Sequence, residues 1–213
     1  MLRAILKRIL GRFRRDELMA SPGRLLVGLG NPGAEYHGTR HNVGFDVIDR
    51  IVELSRSQLD VNKDNAISGS GRYQGRTFVA AKPLSYMNRS GSVVKKLLNR
   101  HRIDVDSVLI IVDDLNIPFG SVRIRQAGGA GGHNGLQDII DELGTDRFAR
   151  LRVGVGDDFG RGQQVDHVLS RFDDSEMEKL DEIVNHAARG ALTFVSRGVT
   201  DAMNRFNLKP ESE

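Results

Sequence analysis

The sequence predicts a single α/β domain, with a twisted, mixed but mostly parallel sheet flanked by helices on both faces. Near-continuous aliphatic runs recur along the chain, as in strands that are covered on both sides. Apolar stripes at helical spacing separate these runs, and such alternation is typical of α/β folds. The chain has 213 residues, which suits one domain better than two.

Five segments have the pattern of strands. They are residues 25–29, 77–81, 108–112, 121–126 and 151–155. The first, third and fifth are the aliphatic runs. The fourth alternates apolar residues with Arg123 and Arg125, so one of its faces is expected to be apolar and the other cationic.

Four segments have the pattern of helices. Apolar stripes predict helices over residues 45–54, 93–98 and 136–143, and Gly144 is expected to end the third. Ser175 and Glu178 have the spacing of a capping box, which predicts that a long last helix begins there and runs through Phe194.

Composition excludes several classes of protein. Hydrophobic residues make up 39% and charged residues 28% of the chain, as in an ordinary globular protein. No apolar run approaches the ~20 residues of a membrane-spanning helix. The absence of cysteine excludes disulfides, thiolate metal sites and cysteine nucleophiles, and it fits a cytoplasmic location.

The positive charge is concentrated at the amino terminus. The formal net charge is +3, and residues 1–15 hold six cations and no acid, so the remaining chain has a net charge of −3. A basic surface for nucleic acid must therefore be local. We divide the chain into a basic N-terminal extension, residues 1–23, and a catalytic domain, residues 24–209. The extension reads as disordered, as an organelle presequence, or as the product of a start codon before the true start at Met19.

Polar residues follow the predicted strands where ligands gather in open α/β sheets, beyond the carboxyl ends. A further polar pair stands at the mouth of the third helix, after a glycine run. These residues are Asn31, Tyr86, Met87, Asn88, Asp113, His133 and Asn134. Each asparagine alone also fits a turn or a cap. Together they would supply neutral donors and acceptors for an ester, an amide or a positioned water.

A histidine that activates water is the chemistry that fits these residues best. His41 is expected in the first turn of a helix, where the helix amino end favours the neutral ring. Asp113 could hold its other nitrogen. Each residue alone also fits a structural role, His41 as a helix cap and Asp113 as the start of a turn, and the spacing leaves His133 open as an alternative base. A zinc site through His37 and His41 is disfavoured because Gly38 interrupts a helix there. The G-x-G-x-x-G match in GLGNPG is weak, because polar residues stand where a dinucleotide-binding helix would begin.

Three segments together resemble the bacterial-type peptidyl-tRNA hydrolase family, in order over nearly the whole chain without its extension. They are GLGNPG followed by Tyr36 through Phe45, the YMNRSG segment of residues 86–91, and DDLNIP at residues 113–118 with the later His133-Asn134-Gly135. The resemblance implies hydrolysis of the ester between a peptide and the terminal ribose of tRNA, without a cofactor, by a monomer that needs no obligate protein partner.

The resemblance also implies roles for individual residues. His41 would activate water, Asp113 would stabilise its catalytic form, and Asn31 would separate peptidyl-tRNA from free aminoacyl-tRNA. The positions that match substrate-binding or tRNA-phosphate contacts are Tyr36, Tyr86, Met87, Asn88, Asn134, Arg123, Arg125 and Arg152. No metal is implied. Two departures, Ala130 for a frequent histidine and Gln137 for a commonly basic residue, leave the acid–base pair intact.

Two rival functions remain. Some plant organelle relatives keep this fold but serve RNA splicing, and the basic extension slightly favours an organelle. Retention of Asn31, His41, Asn88, Asp113 and Asn134 favours the enzyme. A nucleotide-dependent oxidoreductase rests only on the glycine match and would have to bind nicotinamide.

Overall fold

A computed structural model describes residues 23–207 of the chain. It contains one seven-stranded sheet in the order β2-β3-β4-β1-β5-β7-β6. The strands are β1 Leu25–Gly28, β2 Val61–Lys63, β3 Ala66–Tyr73, β4 Arg76–Pro83, β5 Val108–Asp114, β6 Val122–Arg125 and β7 Ala149–Gly154. The four central strands β4, β1, β5 and β7 are parallel, and the outer strands are antiparallel to their neighbours. The predicted mixed α/β sheet is confirmed.

Helices cover both faces of the sheet. They are α1 Val43–Ser55, α2 Ser90–His101, α3 Asn134–Leu143, α4 Gln164–Leu169, α5 Asp174–Arg197 and α6 Val199–Phe206. Apolar residues of α1 and α5 pack with one face of the sheet, and those of α2 and α3 pack with the other. Every residue of β1 and β5 is therefore buried, which explains their uninterrupted aliphatic sequence.

Strands β2 and β3 were not predicted, because their sequences contain no apolar run. β3 reads AISGSGRY and β2 only VNK. The β3 strand pairs along its full length with β4, and the turn that joins them uses Gln74 and Gly75 at positive φ. Pairing with β4 across this two-residue turn, rather than an apolar run, therefore specifies the strand.

The capping box was predicted at the wrong residues. The N-cap of α5 is Asp173, whose carboxylate accepts from the Glu176 backbone N–H while the Glu176 side chain accepts from the Asp173 backbone N–H. The Ser175 hydroxyl donates to the Asp173 carboxylate at 2.7 Å instead. The helix also continues to Arg197, beyond the predicted Phe194. The predicted end of α3 at Gly144, which is left-handed, is confirmed.

The predicted N-terminal extension, residues 1–23, lies almost entirely outside the described residues, as do the last two residues of the predicted domain, 24–209. The division of the chain at this point stays a prediction. No helix within residues 23–207 is long and apolar enough to cross a membrane.

Candidate active site

Two adjoining cavities lie beyond the carboxyl ends of the parallel strands. The first has a volume of about 330 Å³, and its lining includes Asp113, His133 and Arg152. The second has a volume of about 470 Å³, and its lining includes Asn31, Tyr86, Met87 and Asn88. The side chains that line both cavities are His41, Asn134, Val165 and Val168. The structure thus brings the loops singled out by the sequence into one cleft, with His41 at its centre.

His41 reaches the cleft because α1 approaches the sheet unusually closely. A Cβ atom at Gly44 would lie 2.6 Å from the Ile111 carbonyl oxygen, and one at Gly28 would lie 2.0 Å from the Gly44 carbonyl oxygen. Only glycine at both positions permits this contact. His41 lies in a 3₁₀ turn, Arg40–Asn42, directly before α1, rather than in the first turn of the helix as predicted.

The contacts of Arg40 hold that 3₁₀ turn in place. Its buried guanidinium donates to the Ser170 hydroxyl at 2.7 Å and pairs with the Glu176 carboxylate. Its backbone N–H donates to the Ser170 carbonyl at 3.0 Å. The turn that carries His41 is therefore held to the end of α4 and the start of α5.

One carboxylate oxygen of Asp113 contacts the imidazole rings of both His41 and His133. Its Oδ1 lies 2.8 Å from His41 Nδ1 and 3.1 Å from His133 Nε2. Burial alone would raise the pKa of Asp113, but the charges and hydrogen bonds of His133 and His41 outweigh burial and hold that pKa well below its usual range. Asp113 is therefore a carboxylate throughout the neutral pH range.

The hydrogen bonds of His133 decide which imidazole can act as a base. His133 is the N-cap of α3, and its Nδ1 accepts from the backbone N–H groups of Gly135 at 3.1 Å and Leu136 at 3.2 Å. Nδ1 therefore carries no proton, and Nε2 donates to Asp113. Both nitrogens of His133 are occupied. In His41, Nδ1 faces Asp113 and Nε2 has no partner among the described residues, so only His41 has a free nitrogen.

The same hydrogen bonds disfavour a metal ion. One ligand atom each from His41, Asp113 and His133 lies within 4.8 Å of the others, a spacing that a cation could bridge. Binding through His133 Nε2 would require Nε2 to lose its proton, and the backbone N–H groups at Nδ1 leave no room to place that proton there. The sequence-based expectation of no metal stays a prediction, with this tautomer in its favour.

The Asn31 side chain is oriented by its neighbours. Its Oδ1 accepts from the Met87 backbone N–H at 2.8 Å, so its Nδ2 group is left as a donor. Asn42 holds the Asn31 backbone on both sides, accepting from its N–H at 2.8 Å and donating to its carbonyl at 3.0 Å. Asn42 was not among the predicted site residues; it fixes the backbone of Asn31, which lies eleven residues before it.

The remaining residues of the second cavity form an open rim. Tyr86 is 55% exposed and meets Tyr36 edge to face, with ring centroids 6.5 Å apart. Asn88 lies in a 3₁₀ turn, Met87–Arg89, and is exposed, whereas Met87 is buried beneath it. Two further apolar side chains of the rim are exposed, Val165 by 62% and Leu169 by 37%.

The predicted cations fall into two environments. Arg152 lines the first cavity, where it pairs with the Asp114 carboxylate at 2.7 Å and donates to the Gly129 carbonyl at 2.7 Å. Its charge is thus largely neutralised. Arg123 and Arg125 lie on the edge strand β6 and have no ion-pair partner among residues 23–207; Arg123 is opposite Arg152 in the sheet, and Arg125 is exposed.

A fourth arginine, buried beneath this edge of the sheet, was not predicted. Arg150 lies opposite Arg125 and is 1% exposed, and its guanidinium donates to backbone carbonyls that include Asp146 at 2.7 Å. Burial, with the nearby charge of Arg152, lowers the pKa of Arg150 to about 10, so it stays protonated at neutral pH. It directly precedes the predicted strand of residues 151–155, and the local pattern gave no sign of this anchoring role.

Comparison with known proteins identifies relatives along nearly the whole described chain. The family model described as peptidyl-tRNA hydrolase matches residues 25–213. The peptidyl-tRNA hydrolase of Chlorobium phaeobacteroides is 45% identical over 186 residues, which cover 87% of this chain and 98% of the relative. That of Bacillus subtilis is 39% identical, covering 87% and 98%. A crystal structure of peptidyl-tRNA hydrolase from Acinetobacter baumannii superposes with a TM-score of 0.83 at 35% identity, covering 90% of this chain and 98% of that one.

Proposed function

The chain belongs to the peptidyl-tRNA hydrolase family and is an enzyme with that activity, and we propose that His41 is the base that activates water against the ester between the peptide and the terminal ribose of tRNA. The observation that carries this proposal is the free Nε2 of His41 beside an Asp113 that occupies Nδ1. The reaction would recycle peptidyl-tRNA released from stalled ribosomes.

The proton movements follow from these contacts. Asp113 accepts from Nδ1 and so leaves the Nε2 lone pair of neutral His41 facing the cleft. Nε2 takes a proton from water as the oxygen attacks the ester carbonyl, and the adjacent carboxylate stabilises the imidazolium that forms. The tetrahedral intermediate expels the ribose oxygen, which recovers the proton from His41. No metal ion and no covalent enzyme intermediate is needed.

Asn31 would distinguish blocked from free amino groups. Its available group, Nδ2, is a donor that suits the carbonyl of a peptide or N-acyl group one bond beyond the scissile residue. A free aminoacyl-tRNA has an ammonium at that place, which cannot accept a hydrogen bond and would be repelled by the amide hydrogens. Tyr36, Tyr86, Met87, Asn88 and Asn134 would contact the rest of the substrate around this donor.

The arginines would bind tRNA phosphates beside the cleft. Arg123 and Arg125 offer free guanidinium groups on β6, and Arg152 lies where this surface meets the first cavity. Phosphate contacts position a substrate without reading its sequence, so this surface would accept many tRNAs. A cytoplasmic monomer without a cofactor or an obligate protein partner completes the proposal.

The decisive experiment measures release of the N-acetylated amino acid from N-acetyl-aminoacyl-tRNA, beside the same tRNA with a free amino group. We expect the wild-type enzyme to cleave only the blocked substrate. His41→Ala is expected to lower kcat by ~10²–10⁴, the usual loss for a general base. Asp113→Ala should lose less, because it supports the base without replacing it. Full turnover by His41→Ala would refute the assignment.

Asn31 is tested with the same pair of substrates. Asn31→Asp keeps an acceptor for the Met87 N–H but replaces the Nδ2 donor by a negative oxygen. We expect kcat/KM for the blocked substrate to fall while that for the free aminoacyl-tRNA does not, so that discrimination narrows. Unchanged discrimination would contradict the role of Nδ2.

A further inference from the structure

Phe159 is an aromatic residue of the first cavity that the roles above leave unused. It lies in the loop between β7 and α4 and lines the same cavity as His41 and Asp113. Its ring packs against that of His167, with centroids 4.9 Å apart and planes tilted by 44°. His167 is itself fixed, because its Nε2 donates to the Val155 carbonyl at 3.1 Å. The Phe159 ring is therefore held in place by His167, and it is only half-buried.

The scissile ester divides the cleft into an acyl side and an alcohol side. His41, which must stand beside the ester, lines both cavities. The Asn31 donor belongs to the second cavity, and so the peptide is expected there. The alcohol of the ester is the terminal ribose of tRNA, which must leave through the other side. Its base, one sugar ring from the reacting oxygen, then falls within the first cavity.

The chemistry around Phe159 fits a base better than a phosphate. Asp157 and Asp114 line the same cavity as Phe159, and Asp114 is already paired with Arg152. These carboxylates would repel a phosphate but not a neutral heterocycle. The cavity volume of about 330 Å³ is within the range of small-ligand sites. Aromatic side chains bind unpaired bases by stacking, which tolerates any base because every base has a π-face.

We propose that Phe159, braced by His167, is the stacking platform for the base of the 3′-terminal nucleotide of the tRNA. The inference rests on the proposed function, since it takes the reacting ester at His41 as its fixed point. Stacking on Phe159 holds the terminal ribose so that its ester lies over His41, and it contributes to substrate binding rather than to proton transfer. Phe159 is in this sense a substrate-binding residue of the alcohol side.

The test compares two substrates that differ only in that base. One is N-acetyl-aminoacyl-tRNA, and the other is the same molecule whose 3′-terminal nucleotide lacks its base. For the wild-type enzyme, loss of the base is expected to raise KM about tenfold, within the range of a stacking contact. Phe159→Leu is expected to raise KM by a similar factor on the complete substrate and by nothing further on the substrate without the base. Phe159→Trp should restore the wild-type KM.

Tyr86→Leu is the matched control, because it removes an exposed aromatic ring from the acyl side of the cleft. It is expected to change KM equally for both substrates. An equal effect of Phe159→Leu on both substrates, or a base effect lost in Tyr86→Leu instead, would overturn the stacking role while leaving hydrolysis intact. Failure of the wild-type enzyme to cleave either substrate would refute the proposed function itself.

Discussion

At the residue scale, the difference between His41 and His133 is which of their ring nitrogen atoms are already hydrogen-bonded. His41 and His133 contact the same oxygen of Asp113 at nearly the same distance. The difference between them is the backbone of α3, which occupies the second nitrogen of His133. His133 therefore lies beside the Asp113 carboxylate without a nitrogen that can take a proton, because its position as a helix cap fixes its tautomer.

His133→Asn separates the two contacts of that residue. Asparagine is a strong N-cap and can accept from the Gly135 and Leu136 N–H groups, but it is too short to donate to Asp113. We expect a thermal midpoint close to wild type and a kcat lowered roughly 10-fold, the effect of one hydrogen bond to a charged group. His133→Ala should lower kcat similarly and in addition destabilise the protein by about 1 kcal/mol through loss of the cap. A wild-type kcat in His133→Asn would show that its contact with Asp113 is dispensable.

Strands and helices could be predicted where the local pattern and the tertiary environment agree. The buried runs of β1 and β5 and the Gly144 end of α3 are of this kind. Strands β2 and β3 are instead specified by pairing in tight hairpins, and the anchoring role of Arg40 depends on Ser170, 130 residues away in the sequence. The sequence could place His41 and Asp113 near one edge of the sheet. It could not show which histidine has a free nitrogen, because that depends on the ring of His133 turning toward the Gly135 and Leu136 N–H groups as the cap of α3.

Helix α1 contains a carboxyl group that its surroundings keep from ionising easily. Burial raises the pKa of Asp46 to about 6, with Asp49 adding to the rise and Lys82 opposing it. Because this pKa is higher in the folded than in the unfolded protein, the folded state binds more protons between about pH 4 and 6, and stability falls as the pH rises through that interval.

Asp46→Asn is therefore expected to stabilise the fold at pH 7.5, by roughly 1–2 kcal/mol. The advantage should vanish below about pH 4, where the wild-type carboxyl is protonated in both states. Urea unfolding at pH 4 and pH 7.5 measures both values. As a control, Asp49→Asn should give no such gain in stability at pH 7.5, since Asp49 is exposed and pairs with Lys82 at 2.5 Å. An equal gain at both pH values would contradict the assignment to ionisation.

Helices α2 and α3 share a cap that links the two sides of the cleft. The Asp138 side chain of α3 accepts from the Gly91 N–H in the first turn of α2 at 2.6 Å, and a Cβ atom at Gly91 would lie 2.4 Å from the Asp138 carbonyl oxygen. Met87 and Asn88 immediately precede α2, and His133 and Asn134 stand at the start of α3. Asp138 thus links the segment of Met87 and Asn88 to the helix that His133 caps.

Asp138→Ala leaves the buried Gly91 N–H without its acceptor, so we expect a loss of about 1–2 kcal/mol in unfolding free energy. We also expect KM for N-acetyl-aminoacyl-tRNA to rise more than kcat falls, because the substrate contacts move while the His41–Asp113 pair remains. Asp138→Asn keeps an acceptor at the same position and should restore most of both. Destabilisation in Asp138→Ala with an unchanged KM would limit Asp138 to a structural role.

At the scale of the whole molecule, a cleft lined by several carboxylates lies beside a cationic sheet edge. The cleft lies at the carboxyl ends of the parallel strands, and β6 runs antiparallel beside β7. In the β6–β7 ladder, Arg123 lies opposite Arg152 near the cleft. Arg125 lies opposite Arg150, two residues farther from the cleft. The cations therefore extend from the cleft along the edge of the sheet, although the chain outside residues 1–15 is acidic overall.

Arg125 and Arg152 are expected to respond differently to removal because only Arg125 has a free charge. Arg125→Ala should weaken tRNA binding and reduce the slope of log affinity against log salt by about 1, as for the loss of one phosphate contact, with kcat unchanged. Arg152→Ala breaks the pair with Asp114 and the bond to the Gly129 carbonyl, so it should also lower kcat and stability.

The control is Arg189→Ala, which removes an exposed arginine of α5 on the opposite face of the sheet and should alter neither affinity nor slope. Binding of uncharged tRNA over a salt series, with kcat measured in parallel, distinguishes the three variants. A slope unchanged in Arg125→Ala would place the phosphate contacts elsewhere on the molecule, because a free surface cation that binds phosphate must release counterions when it does so.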